Sequence, residues 1–258
     1  MKYHFVWDEG FLGNQMLELS EREKNIVIAI IIGGHNATFT GYRTERLVKA
    51  VKLLQDVNTP FVSVESPIEP KSLIGEYSRK GLTQGFVTDA DNGFLHFSDI
   101  SSQNGGVTSW LTTVMGNGWI KLCDHGDIVT LPAKFQLIAE ASNLDNRNVA
   151  TNHIMDYCDI RYDCPKDCVR TLYSVEDLRH RVSMVKEHRQ SLGYFGNNSY
   201  ISDIGDIQPT NVALEMIEEE NIGIETARLG RTMADIFGHN KTFGADLEAA
   251  RNCQNICM

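Results

Sequence analysis

The chain has 258 residues, 42% hydrophobic and 22% charged, enough for a real core in one large domain or two small ones. Its net charge of −10 argues against a dedicated nucleic-acid binder, whose footprint is basic. The opening MKYHFVWDEG puts acids where a signal peptide needs an apolar run, and the apolar run Ile26–Ile32 is too short to cross a bilayer. The expectation is a cytoplasmic protein with no membrane partner and reduced cysteines.

In chain order, Ser20-Glu21-Arg22-Glu23 has the spacing of a capping box, and Gly33-Gly34 closes the apolar run that follows, so a helix is expected there. Residues 36–40 (NATFT) read as a strand that Gly41 breaks. In 45–55 (ERLVKAVKLLQ), Leu47, Val48, Val51 and Leu54 recur at helical spacing. Strand, short turn and helix make one unit of a parallel α/β sheet. Further strands are expected at 60–65 (PFVSVE), at FLHF within 94–97 and at 134–142 (KFQLIAEAS). Between the last two lie a helix around 107–114 and a hairpin with arms 119–123 and 128–131, turning at CDHGD. After DIRYD strand patterns stop, and four helical segments follow from 174, the first ending at Gly193.

The stretches GGHN, LIGEYSRKGLTQGFVTDADNGFLHFSDI, TLPAKFQLIAEAS, IMDYCDI and ARLGRTMADIFG occur in this order, within a resemblance that covers about residues 8–252. Together they resemble the magnesium chelatase-like AAA+ ATPase family, including its ComM-type bacterial members. The resemblance implies an α/β fold: an AAA+ P-loop-type three-layer core with a parallel sheet over 1–173, then a small all-α lid over 174–258.

The stations at which the family does its chemistry depart from its pattern. A working phosphate loop reads G-x-x-x-x-G-K-[ST], with glycines that let backbone N–H groups wrap phosphates. Here GYRTERL keeps only Gly41, places bulky Tyr42 next, and sets Arg43-Thr44 where Lys-Thr belongs. The residue types allow an ordinary strand-to-helix turn. The family's N-G-x-L-F-L-D-E aligns on Asn92-Gly93, giving Ser98 for the metal-ordering aspartate and Asp99 for the water-activating glutamate. A hydroxyl carries no charge for a hard cation. His96, in mid-strand, reads as a satisfied core histidine. At the polar sensor stands Ser142, with Asn143 one residue on; at the arginine finger stands Tyr157; the lid arginine's place falls on Asn221. An arginine finger is worth about 10³–10⁵ in rate, and a neutral phenol cannot replace it. Arg231 reads as structural.

Cys164-x₃-Cys168 and Cys253-x₃-Cys257, with Cys158 and His153 nearby, could be given zinc-ligand spacing but read as unpaired thiols, so no metal is expected. No Ser-His-Asp or Cys-His arrangement can be recognised from spacing alone. The expected function is therefore a catalytically degenerate AAA+ module, a non-hydrolysing binding or scaffold protein without cofactor, whose partner is a protein such as an active AAA+ relative. Two alternatives stand: a functional ATPase, motor or chelatase-type, that uses ATP and Mg²⁺ through an altered site, and a sensor that binds nucleotide without hydrolysis.

Overall fold

The computed structural model describes residues 15–141, 149–193 and 204–254. The chain forms two compact units, and neither is continuous in sequence. Among the described residues, one gathers 15–35, Glu45–Val57 and Asp167–Gln254; the other gathers Asn36–Thr44 and Asn58–Lys166. Compactness therefore does not follow a single cut at 173/174.

In the first unit, β1 (Met16–Leu19) pairs antiparallel with β11 (Thr171–Ser174), Met16 facing Ser174 and Leu19 facing Thr171. Next comes α1 (Glu21–Gly33). Ser20 accepts from the Glu23 N–H at 3.2 Å while the Glu23 carboxylate accepts from the Ser20 N–H at 2.8 Å, and Gly34 exits left-handed at φ 70°. Both ends of the helix are thus written in the sequence. The unit continues with α2 (Glu45–Leu54), α7 (Val175–Ser191), α8 (Asn211–Glu219), α9 (Ile224–Phe237) and α10 (Gly244–Gln254). Ser174 and Thr210 cap α7 and α8, each accepting a backbone N–H three residues on. Ile207, Ala213, Ile217, Ile222, Ala227 and Leu247 make the core beneath the last helices.

Two buried carboxylates tie this unit together. Glu23, fully buried, is bonded by Arg46 and lies 3.4 Å from Arg170 Nε. Asp235, also fully buried, accepts from Arg231 Nε at 3.1 Å on its own helix and lies 3.3 Å from Arg189 Nε. Arg231 also donates to the His239 carbonyl at 2.7 Å, and Arg189 to the Ile32 carbonyl. Arg231 is wholly inside the unit and spent on these contacts, which is the structural role its place suggested.

The second unit is built on a five-stranded parallel sheet: β10 (Ile160–Cys164), β2 (Ala37–Gly41), β9 (Phe135–Ala141), β6 (Gly93–Phe97) and β3 (Phe61–Val64), in that spatial order. One face packs Val64, Leu95, Phe97, Leu137, Ala139 and Ala141 against Val107, Leu111 and Val114 of α5 (Gly105–Asn117). The connections carry α3 (Pro70–Ile74), a hairpin of β4 (Gly75–Ser78) and β5 (Gly81–Gln84), α4 (Phe86–Asp89), a hairpin of β7 (Trp119–Asp124) and β8 (Asp127–Pro132), and α6 (Val149–Asp156). The second hairpin turns on His125 and Gly126, both at positive φ (48° and 98°), as a two-residue hairpin loop requires.

Every strand and long helix expected from sequence is present, and among the described residues no strand follows β11. Not anticipated were the β1–β11 ribbon, the β4–β5 hairpin, α6 and the short α3 and α4. GEYS and GLTQ lack apolar alternation, and helices of five and four residues are too short to show a period.

Burial opposes the charge on Glu23, but the Ser20 N–H and the two arginines outweigh it and hold its carboxyl below the ordinary 4.5. A depressed folded pKa adds stability that is present above pH 4.5 and lost as pH falls through the lower folded value. Glu23→Gln should flatten the acid limb of a stability-against-pH curve and cost about 3 kcal/mol or more at neutral pH, because two nearly buried arginines lose their charge partner. Urea unfolding at stepped pH measures both; superimposable acid limbs would refute the role.

Candidate functional site

The carboxyl ends of parallel strands are where an open α/β sheet receives ligands. Here they carry Gly41, Val64, Phe97 and Cys164, and the segments that leave them hold most of the candidate residues. Gly41 closes β2 at φ 88°, and a Cβ there would lie 2.4 Å from Asp163 Oδ1 and 2.6 Å from the Cys164 carbonyl oxygen. Glycine is required on both counts. Only Tyr42, Arg43 and Thr44 separate it from Glu45, the first residue of α2.

This short loop is bonded inward. The Tyr42 N–H donates to the Cys164 carbonyl at 2.9 Å. Arg43 sits at φ 55°, its guanidinium 6.0 Å from the centre of the exposed Tyr42 ring. The Thr44 hydroxyl donates to Glu140 Oε2 on β9. Thr40 donates to Asp163 Oδ1 at 3.2 Å, so the β2–β10 strand ends also hold a carboxylate.

Ser98 follows β6, and both its N–H (3.1 Å) and its hydroxyl (3.3 Å) reach the Val64 carbonyl of β3. Asp99 accepts from the Ser101 N–H at 3.0 Å and caps the 3₁₀ turn Ile100–Ser102. Both residues therefore have local work in turning the chain out of the strand. Adjacent strands lie about 4.8 Å apart, so the ends of β2 and β6, with β9 between, are separated by roughly 10 Å.

The remaining candidates are elsewhere. Tyr157, 43% exposed, follows α6, and its carbonyl accepts from the Asn36 side chain at 3.1 Å, one residue before β2 begins. It stands at the amino ends of the strands, opposite Gly41–Thr44, and cannot serve that loop within one chain. Asn221 belongs to the other unit. At φ 51° it is the left-handed residue past α8, with the Ile222 N–H bonded to the Ile217 carbonyl at 3.0 Å, a helix-ending motif that asparagine tolerates. Ser142 and Asn143 lie outside the described residues.

A row of side chains that sequence did not join runs beside the loop. Glu140 Oε1 accepts from His96 Nε2 at 2.8 Å, and His96 Nδ1 lies 3.3 Å from Ser63 Oγ. His96 and Glu140 are buried and Ser63 is exposed. The signal for Glu140 was present: a glutamate inside the apolar strand QLIAEA needs a partner. His96 is buried, with a partner at each ring nitrogen.

Among the described residues no three His, Cys, Asp or Glu side chains group as metal ligands. Burial pushes the Cys158 thiol up to about 12 and the Cys253 thiol up to about 11, so both are poor nucleophiles and poor ligands.

No family model and no curated protein matches the chain. Among solved structures 550 chains match, and a fold so widely shared does not name an activity. One is the crystal structure of a "putative ATPase" from Cytophaga hutchinsonii: it is 16% identical, the match covers 90% of this chain and 79% of that one, and the TM-score is 0.54. The likeness shows the fold alone: α/β, a core with a central parallel sheet together with a helical part. No helix among the described residues is long and apolar enough to cross a membrane.

Gly41→Ala should cost at least about 1–3 kcal/mol, since it forces both a left-handed alanine and a Cβ against the β10 backbone. Chemical denaturation reads the loss. Gly126→Ala, left-handed but open around its Cβ, should cost less; a reversed order would overturn the steric argument.

Proposed function

We propose that this protein is a catalytically degenerate AAA+ module of the magnesium chelatase-like, ComM-type group, a core and lid retained for binding or scaffolding a protein partner such as an active AAA+ relative. The observation that carries the reading is the inward bonding of the loop after β2. A phosphate cradle needs free backbone N–H groups and a hydroxyl for Mg²⁺. The Tyr42 N–H is spent on Cys164 and the Thr44 hydroxyl on Glu140, and Asp163 and Glu140 put negative charge beside the loop. Ser98 and Asp99 add to the case, because each is bonded into the turn after β6.

Geometry also accounts for why repair of one residue should fail. Ser98→Asp adds a metal-ordering charge about 10 Å from a loop with too few donors to hold phosphates. Tyr157→Arg adds a finger at the amino ends of the strands, useful only to a neighbouring chain whose phosphate is in place. Residues that act as a unit are not repaired singly.

Phosphate release by the wild type, Ser98→Asp and Tyr157→Arg should equal the no-protein background. ATP with Mg²⁺ should leave the thermal midpoint unmoved, where binding at 100 times Kd would stabilise by about 2.7 kcal/mol. A shift without phosphate release would favour a nucleotide sensor. Release abolished by Asp99→Asn would favour an active enzyme with an altered site.

A further inference from the structure

Ser63, His96 and Glu140 sit on β3, β6 and β9, three consecutive strands of the sheet. Ser63 is level with His96 in the parallel register, and Glu140 lies two residues past Ile138, the partner of His96. Side chains two apart share a face, so all three stand in one row. Its geometry is that of a nucleophile, a base and an orienting acid: hydroxyl to imidazole 3.3 Å, imidazole to carboxylate 2.8 Å. The carboxylate is buried and its second oxygen is held by Thr44, so it is fixed against rotation. A glutamate accepting from Nε2–H keeps the proton there and leaves the Nδ1 lone pair facing the hydroxyl.

The sheet edge supplies a further element. The Pro60 carbonyl accepts from Phe94 N–H at 2.8 Å and the Val64 carbonyl from Ser98 N–H at 3.1 Å, so the even-numbered residues of β3 turn their backbone groups toward β6. In a parallel ladder alternate residues face opposite sides, so Ser63 turns its own N–H to the outer edge of the sheet. A donor thus lies beside the hydroxyl, where an oxyanion would form. The rings of Phe61 and Phe94, 5.9 Å apart, are on the same face, with Phe61 6.0 Å from the His96 ring.

We propose that Ser63, His96 and Glu140 form an acyl-transfer site for small activated esters at the open edge of the sheet, independent of nucleotide. Ser63 Oγ bonds to the acyl carbon as its proton passes to His96 Nδ1, and the ester C–O bond breaks with the alcohol leaving, protonated by His96. Water then adds to the acyl carbon, giving its proton to His96, and the acyl–Oγ bond breaks to restore the serine hydroxyl. Glu140 is a positioning residue that holds the imidazole and balances its transient charge.

The test uses the full chain with diisopropyl fluorophosphate, which forms an Oγ–P bond as fluoride leaves, and with p-nitrophenyl acetate. Intact mass should show one diisopropylphosphoryl group per chain, located at Ser63 by peptide mapping and absent in Ser63→Ala, a change at an exposed position that leaves the core untouched. His96→Gln should slow acylation by about 10²–10⁴-fold, the usual worth of a general base. Glu140→Gln should lower the acylation rate with the half-saturating ester concentration unchanged, and Glu140→Asp should recover part of it. A wild type that takes no label, a Ser63→Ala variant that still takes it, or a folded His96→Gln variant that reacts at the wild-type rate would each overturn the proposal. None of these results depends on whether ATP is bound or hydrolysed.

Discussion

A carboxylate taken out of water must be answered by donors, because its desolvation costs several kcal/mol that geometry alone can repay. Each unit is organised round that constraint. Glu23 gathers the N-terminus of α1, Arg46 of α2 and Arg170 beside β11, segments far apart in sequence. Asp235 joins α9 to Arg189 of α7. Glu140 joins β9 to β6 and to the loop after β2. Hydrophobic burial would tolerate small slides of these elements, but a buried ion pair would not, so the charges fix register where apolar packing only favours contact.

The same constraint acts at the candidate site. The hydroxyl of Thr44 can serve a metal ion or a neighbouring carboxylate, and Glu140 has taken it. Ser98 is engaged in the same way after β6: its hydroxyl closes on the Val64 carbonyl. The described ends of β2, β6 and β10 are finished by hydrogen bonds within the chain, which lowers the gain an incoming phosphate could make there.

Much of the fold was legible because its signals are local. The Ser20–Glu23 box, the apolar spacing of α2 and the His125-Gly126 turn each act within a few residues, and each element formed where those residues predict it. The β1–β11 ribbon was not legible, since its two strands meet across about 150 residues and neither carries a long alternation. The site was half legible. The positions Gly41–Thr44, Ser98 and Asp99 could be found by their place in an ordered pattern, but what each side chain bonds to could not. Glu140 and His96 lie 44 positions apart and meet only through the sheet register, and Ser63 joins them by the same route.

The buried thiols of Cys158 and Cys253 give the molecule a pair of internal clocks. Cys158 lies in the sheet-bearing unit, where Cys164 is buried as well, and Cys253 in the helical one, and burial shields each while its surroundings stay closed. Exposed Cys123 reports only the reagent's intrinsic rate. The ratio of a buried thiol's modification rate to that reference is then the opening equilibrium of its unit. Two cysteines fixed by packing thus let the breathing of each half of the chain be timed separately, without adding a probe.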